Sequence, residues 1–329
     1  MNMAVVDASE SFFKERSGEL EITAPGVTLT EGHAALYQAF FSDRLRLPLD
    51  RLTSKAVTGS DASLAHPMLA VNIAIEQSAR VSQQRVESGL FYCGLKIEQP
   101  AHLGDTLYTR TRVIEAKRNR LRPGQHAADV VALEVTTTNQ RDERVLHFWR
   151  CPKAFCRTET EGLHDIGASS NKLEQIATLP PWRLDAFRTT LRAAAPVVAG
   201  AWFRIDERDT VTRAPDFVRM HLSRATPQTD TTPSYMDLRP AYGGHPISMA
   251  FAQITRALPD LVTIVAWDSC SHTQPILEND RFRTDVTVVD RTELRSGALL
   301  SLHAKSYVSR VQEPEETAVL DWKFSAWTV

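Results

Sequence analysis

The sequence predicts an α+β fold built twice in tandem, each copy a long buried helix wrapped by an antiparallel sheet. Three observations lead there: an internal repeat at a nearly constant offset, a mostly apolar helical stretch in each half, and runs of alternating strand after each of those stretches. Composition sets the outer bounds. The chain has 329 residues, 43% hydrophobic and 24% charged, with a formal net charge of -2. That balance describes a globular protein and gives no basic surface for a nucleic acid. The opening residues, MNMAVVDASESFFKER, lack a basic start followed by an apolar core. No unbroken apolar stretch reaches the ~20 residues of a membrane-spanning helix, so the expected location is the cytoplasm. Of the four cysteines, only Cys151 and Cys156 are close, and their spacing does not match a zinc knuckle. Reduced, buried thiols and no metal are expected.

Three landmarks recur in the same order. QPAHLGDTL, from Gln99, matches QPILENDRF, from Gln274, with the same step from proline to aspartate (Pro100 to Asp105, Pro275 to Asp280). VLHFWR from Val145 matches VLDWKF from Val319, and LAHPML from Leu64 matches GGHPI from Gly243. Within the first copy, Thr30 is placed to cap a helix EGHAALYQAFF, its hydroxyl meeting amides that lack partners. After a loop from Ser42, a second helix starts near His66 and Pro67 and runs MLAVNIAIEQSARV; proline suits its first position because the missing amide has no partner there. Its apolar residues cover most of the circumference, so it should be buried. FYCGLKIEQ, TLYTRTRVIEAK, DVVALEVTTTNQ and RVLHFWRCPKAF then read as the sheet around it, which is the hotdog arrangement. The second copy repeats this as PDFVRMHL, PISMAFAQITRAL, VTIVAWDSCSH, RFRTDVTVVD, LLSLHAKSYVSR and AVLDWKFSAWTV. Residues 157–204 read as a linker: a polar, turn-rich stretch ending in Pro180-Pro181, followed by WRLDAFRTTLRAAA as a connecting helix. The expected units are therefore 1–156 and 205–329, paired edge to edge as a double hotdog.

The phrases EGHAALYQAF, GLKIEQPAHLGDTLYTRTRV and AYGGHPISMAFAQITRALPDLVTIVAWDSCSHTQPILENDRF resemble the MaoC-like acyl dehydratases and mesaconyl-CoA-type hydratases with two fused hotdog halves. The similarity spans roughly residues 20–156 and 205–329, and Tyr242-Gly243-Gly244-His245 is its most specific element. It implies a cofactor-free hydration or dehydration of a 2-enoyl thioester on coenzyme A or a carrier protein, with a homodimer as the assembly by analogy. Such chemistry needs a positioned acid and base, and stabilisation of the enolate-like oxygen. The resemblance assigns the second task to amides of Gly244 and His245, at a helix start where the dipole is positive. For the first, single-domain relatives carry a D-x-N-P-x-H pattern before the buried helix. Here the first half offers SDRLRLP, with Asp43 kept but Pro48 where histidine would stand, like the silent copy of fused hydratases. The second offers SRATPQTD, with Gln228 near the histidine position; glutamine does not exchange protons near neutral pH. Polyketide dehydratase domains give a weaker resemblance, with His245-Pro246 followed by Ala250 and Gln253 but without their acidic residue.

The candidate catalytic residues are therefore Asp230 as a relocated base, Gln228 placing the water, His245 at the helix start, and Asp268 with His272, whose separation of four puts them on one strand face, as a relay or merely a polar pair. His66 occupies the helix start equivalent to His245, and Asp43 reads as a structural loop residue. Tyr242, Gly243 and Gly244 are candidates for the thioester end of the substrate. Arg118 and Arg120, on the basic tip KRNRLRPG, are candidates for a coenzyme A or carrier phosphate; a solvated charged turn is the plainer reading. Two other classes stay open on the sequence: a hotdog enzyme repurposed for cyclisation, isomerisation or elimination on a polyketide-like substrate, and a non-catalytic subunit completed by a partner chain.

Overall fold

The computed structural model describes residues 21–79, 90–118, 129–152, 179–190, 196–222, 239–310 and 315–329. β1 (Glu21–Thr23) and β2 (Val27–Thr28) precede α1 (Glu31–Phe41), which is followed by α2 (Arg46–Leu49), α3 (Arg51–Thr58) and the long helix α4 (Pro67–Ala79). Then come β3 (Leu90–Ile97), β4 (Thr106–Arg118), β5 (Asp129–Thr138) and β6 (Arg144–Pro152). A short helix, α5 (Leu184–Arg188), precedes the second unit: β7 (Trp202–Thr210), α6 (Ala214–Met220), the long helix α7 (Gly244–Ala257), β8 (Leu261–His272), β9 (Arg281–Glu293), β10 (Ala298–Ser309) and β11 (Thr317–Thr328). The strands form one sheet in the order β1-β4-β5-β6-β3-β8-β11-β10-β9-β7, with β2 beside β4. The units join where β3 meets β8 antiparallel, Phe91 opposite Ser271 and Lys96 opposite Ala266. This is the expected α+β double hotdog, with α4 and α7 sharing one core with strands of both units.

The repeat has a physical cause at its best-matched landmark. The Asp105 carboxylate accepts the His102 amide at 2.8 Å, and Asp280 accepts the Leu277 amide at 2.9 Å. Each aspartate follows a left-handed residue, Gly104 (φ 96) or Asn279 (φ 73). The turn needs an acceptor at that one position, so the proline-to-aspartate spacing is kept in both copies. The helix starts also follow local rules. Thr30 accepts the His33 amide at 3.2 Å in a capping box, and Pro67 opens α4. Met68 to Ser78 are all buried, so the polar members among them need interior partners. Gln77 donates to the carbonyls of Pro25 and Leu107 and accepts from Thr109. Arg150, itself buried, donates to the Ile75 carbonyl at 3.1 Å and to Ser78 at 2.8 Å, a cation at the negative end of α4.

Some elements differ from the expectation. β7 starts at Trp202, inside the stretch read as linker; Ile205 is its one buried residue, so it shows no alternation. Among the described residues of the expected connecting helix, Leu184–Arg188 are helical. The loop from Ser42 contains α2 and α3, the latter capped by Asp50, which accepts the amides of Leu52 and Thr53.

α4 and α7 meet at Gly244. A Cβ there would lie 1.7 Å from Asn72 Oδ1 and 2.6 Å from Tyr242 Cε1. Asn72 has little room to turn away, because its Nδ2 donates to the Met68 carbonyl at 2.6 Å and to Ser248 Oγ at 2.9 Å. Gly244→Ala is expected to lower unfolding free energy by ~1–3 kcal/mol through overpacking, read by urea denaturation. A loss near zero would mean that the helices part without cost.

Candidate active site

The two helix starts are equivalent in the repeat but differently furnished. In the first unit α1 ends at Ser42, in the left-handed conformation (φ 51), with its amide on the Gln38 carbonyl. That turn sends Asp43 inward, where Gln38 Nε2 holds its carbonyl at 2.9 Å. The Asp43 carboxylate is fully buried, with Oδ1 accepting the Leu45 amide at 2.8 Å and the Thr255 hydroxyl at 3.3 Å. His66 Nε2 stands 3.2 Å from the same Oδ1, and His66 is 5% exposed. The two are close but not in line for a hydrogen bond, so Nε2 and Asp43 Oδ2 both lack a hydrogen-bond partner. His66 Nδ1 accepts the Met68 amide at 3.2 Å, and its ring stacks on Tyr37 with centroids 4.6 Å apart. Phe251 of α7 closes the far side.

In the second unit His245 instead packs edge-on against aromatic rings, Phe41 at 5.2 Å and Phe217 at 5.4 Å. Burial pushes its pKa down to about 4, which keeps it neutral, and Nδ1 has no hydrogen-bond partner. Its amide donates to the Tyr242 carbonyl at 2.8 Å. Gly243 and Gly244 are in helical geometry without a side-chain cap, and Gly244 is pressed against Asn72 as described above. Tyr242 donates to the Asn72 carbonyl at 3.2 Å across the helix pair. Nearby His221, at the end of α6, is pushed down to about 3, chiefly by burial.

On β8, the register with β11 shifts between Ser269 and Trp267, so Asp268 sits in a bulge. Trp267 and Cys270 both join the core, three positions apart. The spacing of Asp268 and His272 therefore does not by itself put them on one face. His272 lies against Tyr92 at 6.1 Å, its pKa lowered to about 4 by burial. Gln228, Asp230 and Arg120 lie outside the described residues, and Arg118 ends β4 with its side chain likewise outside them. Sequence reasoning read Asp43 as a loop residue. The signal that pairs it with His66 is not local, since Thr255, 212 positions away, helps to hold it.

An apolar cleft, about 640 Å³ including space open to solvent, is lined by sequence neighbours of Asp43 and His66 but not by those two side chains. Leu45 and Pro67, the near neighbours of those two residues, line it with Ala70, Ile97, Trp182 and Val262. Among the described residues, none that lines it has an ionisable side chain. Among the described residues there is no group of three or more metal-ligating side chains and no helix long and apolar enough to cross a membrane. Cys93, Cys151 and Cys270 are buried.

No family model matches the chain. A conserved hypothetical protein from Mycobacterium tuberculosis, essential for bacterial survival during infection and described as a double hotdog, is 33% identical. It superposes with a TM-score of 0.81 over 96% of this chain and 98% of its own. A putative MaoC domain dehydratase from Chloroflexus aurantiacus has the same fold, with a TM-score of 0.78 at 19% identity over 94% of each chain. Mesaconyl-CoA hydratase of Cereibacter sphaeroides is 25% identical over 296 residues, 86% of this chain and 84% of that protein.

The buried imidazoles fix a pH dependence. His245 and His272 have folded pKa values of about 4 against an ordinary 6.5. Between those values the unfolded chain binds more protons than the folded one, so stability falls as pH drops through that window. His245→Gln is expected to lose less stability than the parent chain between pH 7 and pH 5, as read by urea denaturation at both. Equal losses would contradict a neutral, buried His245.

Proposed function

Because the chain belongs to the double-hotdog family of MaoC-like dehydratases, we propose that it is an acyl-thioester hydratase or dehydratase, adding water across, or removing it to form, the double bond of a 2-enoyl-CoA. The observation that carries the reading is the cleft at the start of α4. It offers apolar walls to an acyl chain, and the helix that begins at Pro67 turns its positive end toward a thioester oxygen. Hydration needs that polarisation, since electron density moves from the double bond toward the carbonyl as water attacks C3.

The lining also bears on the acyl group. Mesaconyl-CoA, named for the Cereibacter relative, carries a second carboxylate on its acyl part. A carboxylate buried without a cation costs several kcal/mol, and the described residues of the cleft lining include no arginine, lysine or histidine. The substrate class this favours is a 2-enoyl-CoA with an uncharged chain, such as 2-octenoyl-CoA. The described residues do not include the basic turn that carries Arg120, and coenzyme A rather than a carrier protein is proposed on the family's behaviour alone.

Loss of the conjugated thioester absorbance on mixing with 2-octenoyl-CoA tests the reading, with turnover expected and mesaconyl-CoA the poorer substrate. Ala70→Phe fills the cleft. Displacing two buried methylenes from it should cost ~1.6 kcal/mol, or roughly tenfold in kcat/KM for 2-octenoyl-CoA. A preference for mesaconyl-CoA would contradict the uncharged-chain reading.

A further inference from the structure

We propose that Asp43 and His66 form the acid/base pair of this enzyme, so that the chemistry resides in the first unit. The inference rests on the acyl-thioester reading above. Four observations lead to it. The two side chains come from a loop and from a helix start, yet stand 3.2 Å apart, 0% and 5% exposed. Each carries a polar atom without a hydrogen-bond partner, Asp43 Oδ2 and His66 Nε2. A pair that merely pinned the loop would saturate both, because an unpaired buried polar group is costly. The residues that bracket them, Leu45 on one side and Ala65 and Pro67 on the other, line the cleft. Finally, among the described residues the second unit does not show the same pair, and His245 packs against Phe41 and Phe217.

The proton balance closes within the pair. In hydration, the water oxygen bonds to C3 and gives one proton to the pair. The pair delivers one proton to C2, and the double bond's electrons form the new C2–H bond by way of the enolate. The pair ends with the protons it began with, and dehydration runs the same steps backward. No oxidant or metal enters.

The test uses the full chain with Asp43→Asn and His66→Gln. Asparagine can still accept the Leu45 amide, and a thermal melt within a few degrees of the parent identifies the folded variants. Two readouts are taken: hydration of 2-octenoyl-CoA, and deuterium uptake at C2 of octanoyl-CoA in heavy water, which needs proton transfer but no hydration. The expected result is a ~10²- to 10⁴-fold fall in kcat for each variant, with KM little changed and deuterium uptake lost with it. Hydration retained within a fewfold by a folded variant overturns the pair while leaving the hydratase reading intact; Asp230→Ala abolishing it instead would have the same meaning. No hydration by the parent, but deuterium uptake that either substitution removes, supports the pair and overturns the hydratase reading. Neither activity in the parent overturns both.

Discussion

The contact of Asn72 with Gly244 decides how the two units sit together. Only a residue without a Cβ fits opposite that amide, and Asn72 then bridges to Ser248 while Tyr242 reaches back to the Asn72 carbonyl. Drawing the starts of α4 and α7 together also determines what lies further along α7. Phe251 comes to rest against His66, and Thr255 against Asp43 and the Arg44 amide. The buried carboxylate of the first unit is thus completed by the helix of the second. Neither half alone could supply that environment, which gives the fusion of two units a physical role beyond extending the sheet.

The same packing separates units that began alike. Both keep a histidine before the long helix and a left-handed residue after the short one. Around His66 the neighbours are a carboxylate and the rings of Tyr37 and Phe251. Around His245 they are aromatic rings, and its burial favours the neutral imidazole. A repeat with two equivalent sites has one requirement too many for a single substrate, and the second helix start has become the hinge of the helix pair. Its glycine is consumed by packing and its histidine amide by Tyr242.

Much of the fold was legible because its causes are local. Thr30 and Pro67 announce helix starts, and Asp105 and Asp280 recur because each closes its own turn. Where the cause is distant, the sequence is mute. β7 reads as linker because one side chain, Ile205, turns inward from an otherwise charged edge strand. Asp268 and His272 look paired until a bulge in β8 interrupts the alternation on which that reading depends. Asp43 looks like any loop aspartate, since the residues that bury it come from α4 and α7. No spacing rule connects a loop, a helix start and a threonine 212 positions on.

The central claim is that the chain holds one acyl thioester, in the cleft of the first unit. A crystal structure with octanoyl-CoA, a saturated chain that cannot be hydrated, tests it most directly. The account expects the acyl chain between Leu45, Ala70 and Val262, with the thioester beside Asp43 and His66. An acyl chain lodged instead against His245 and Phe217 would place the site in the second unit and contradict it.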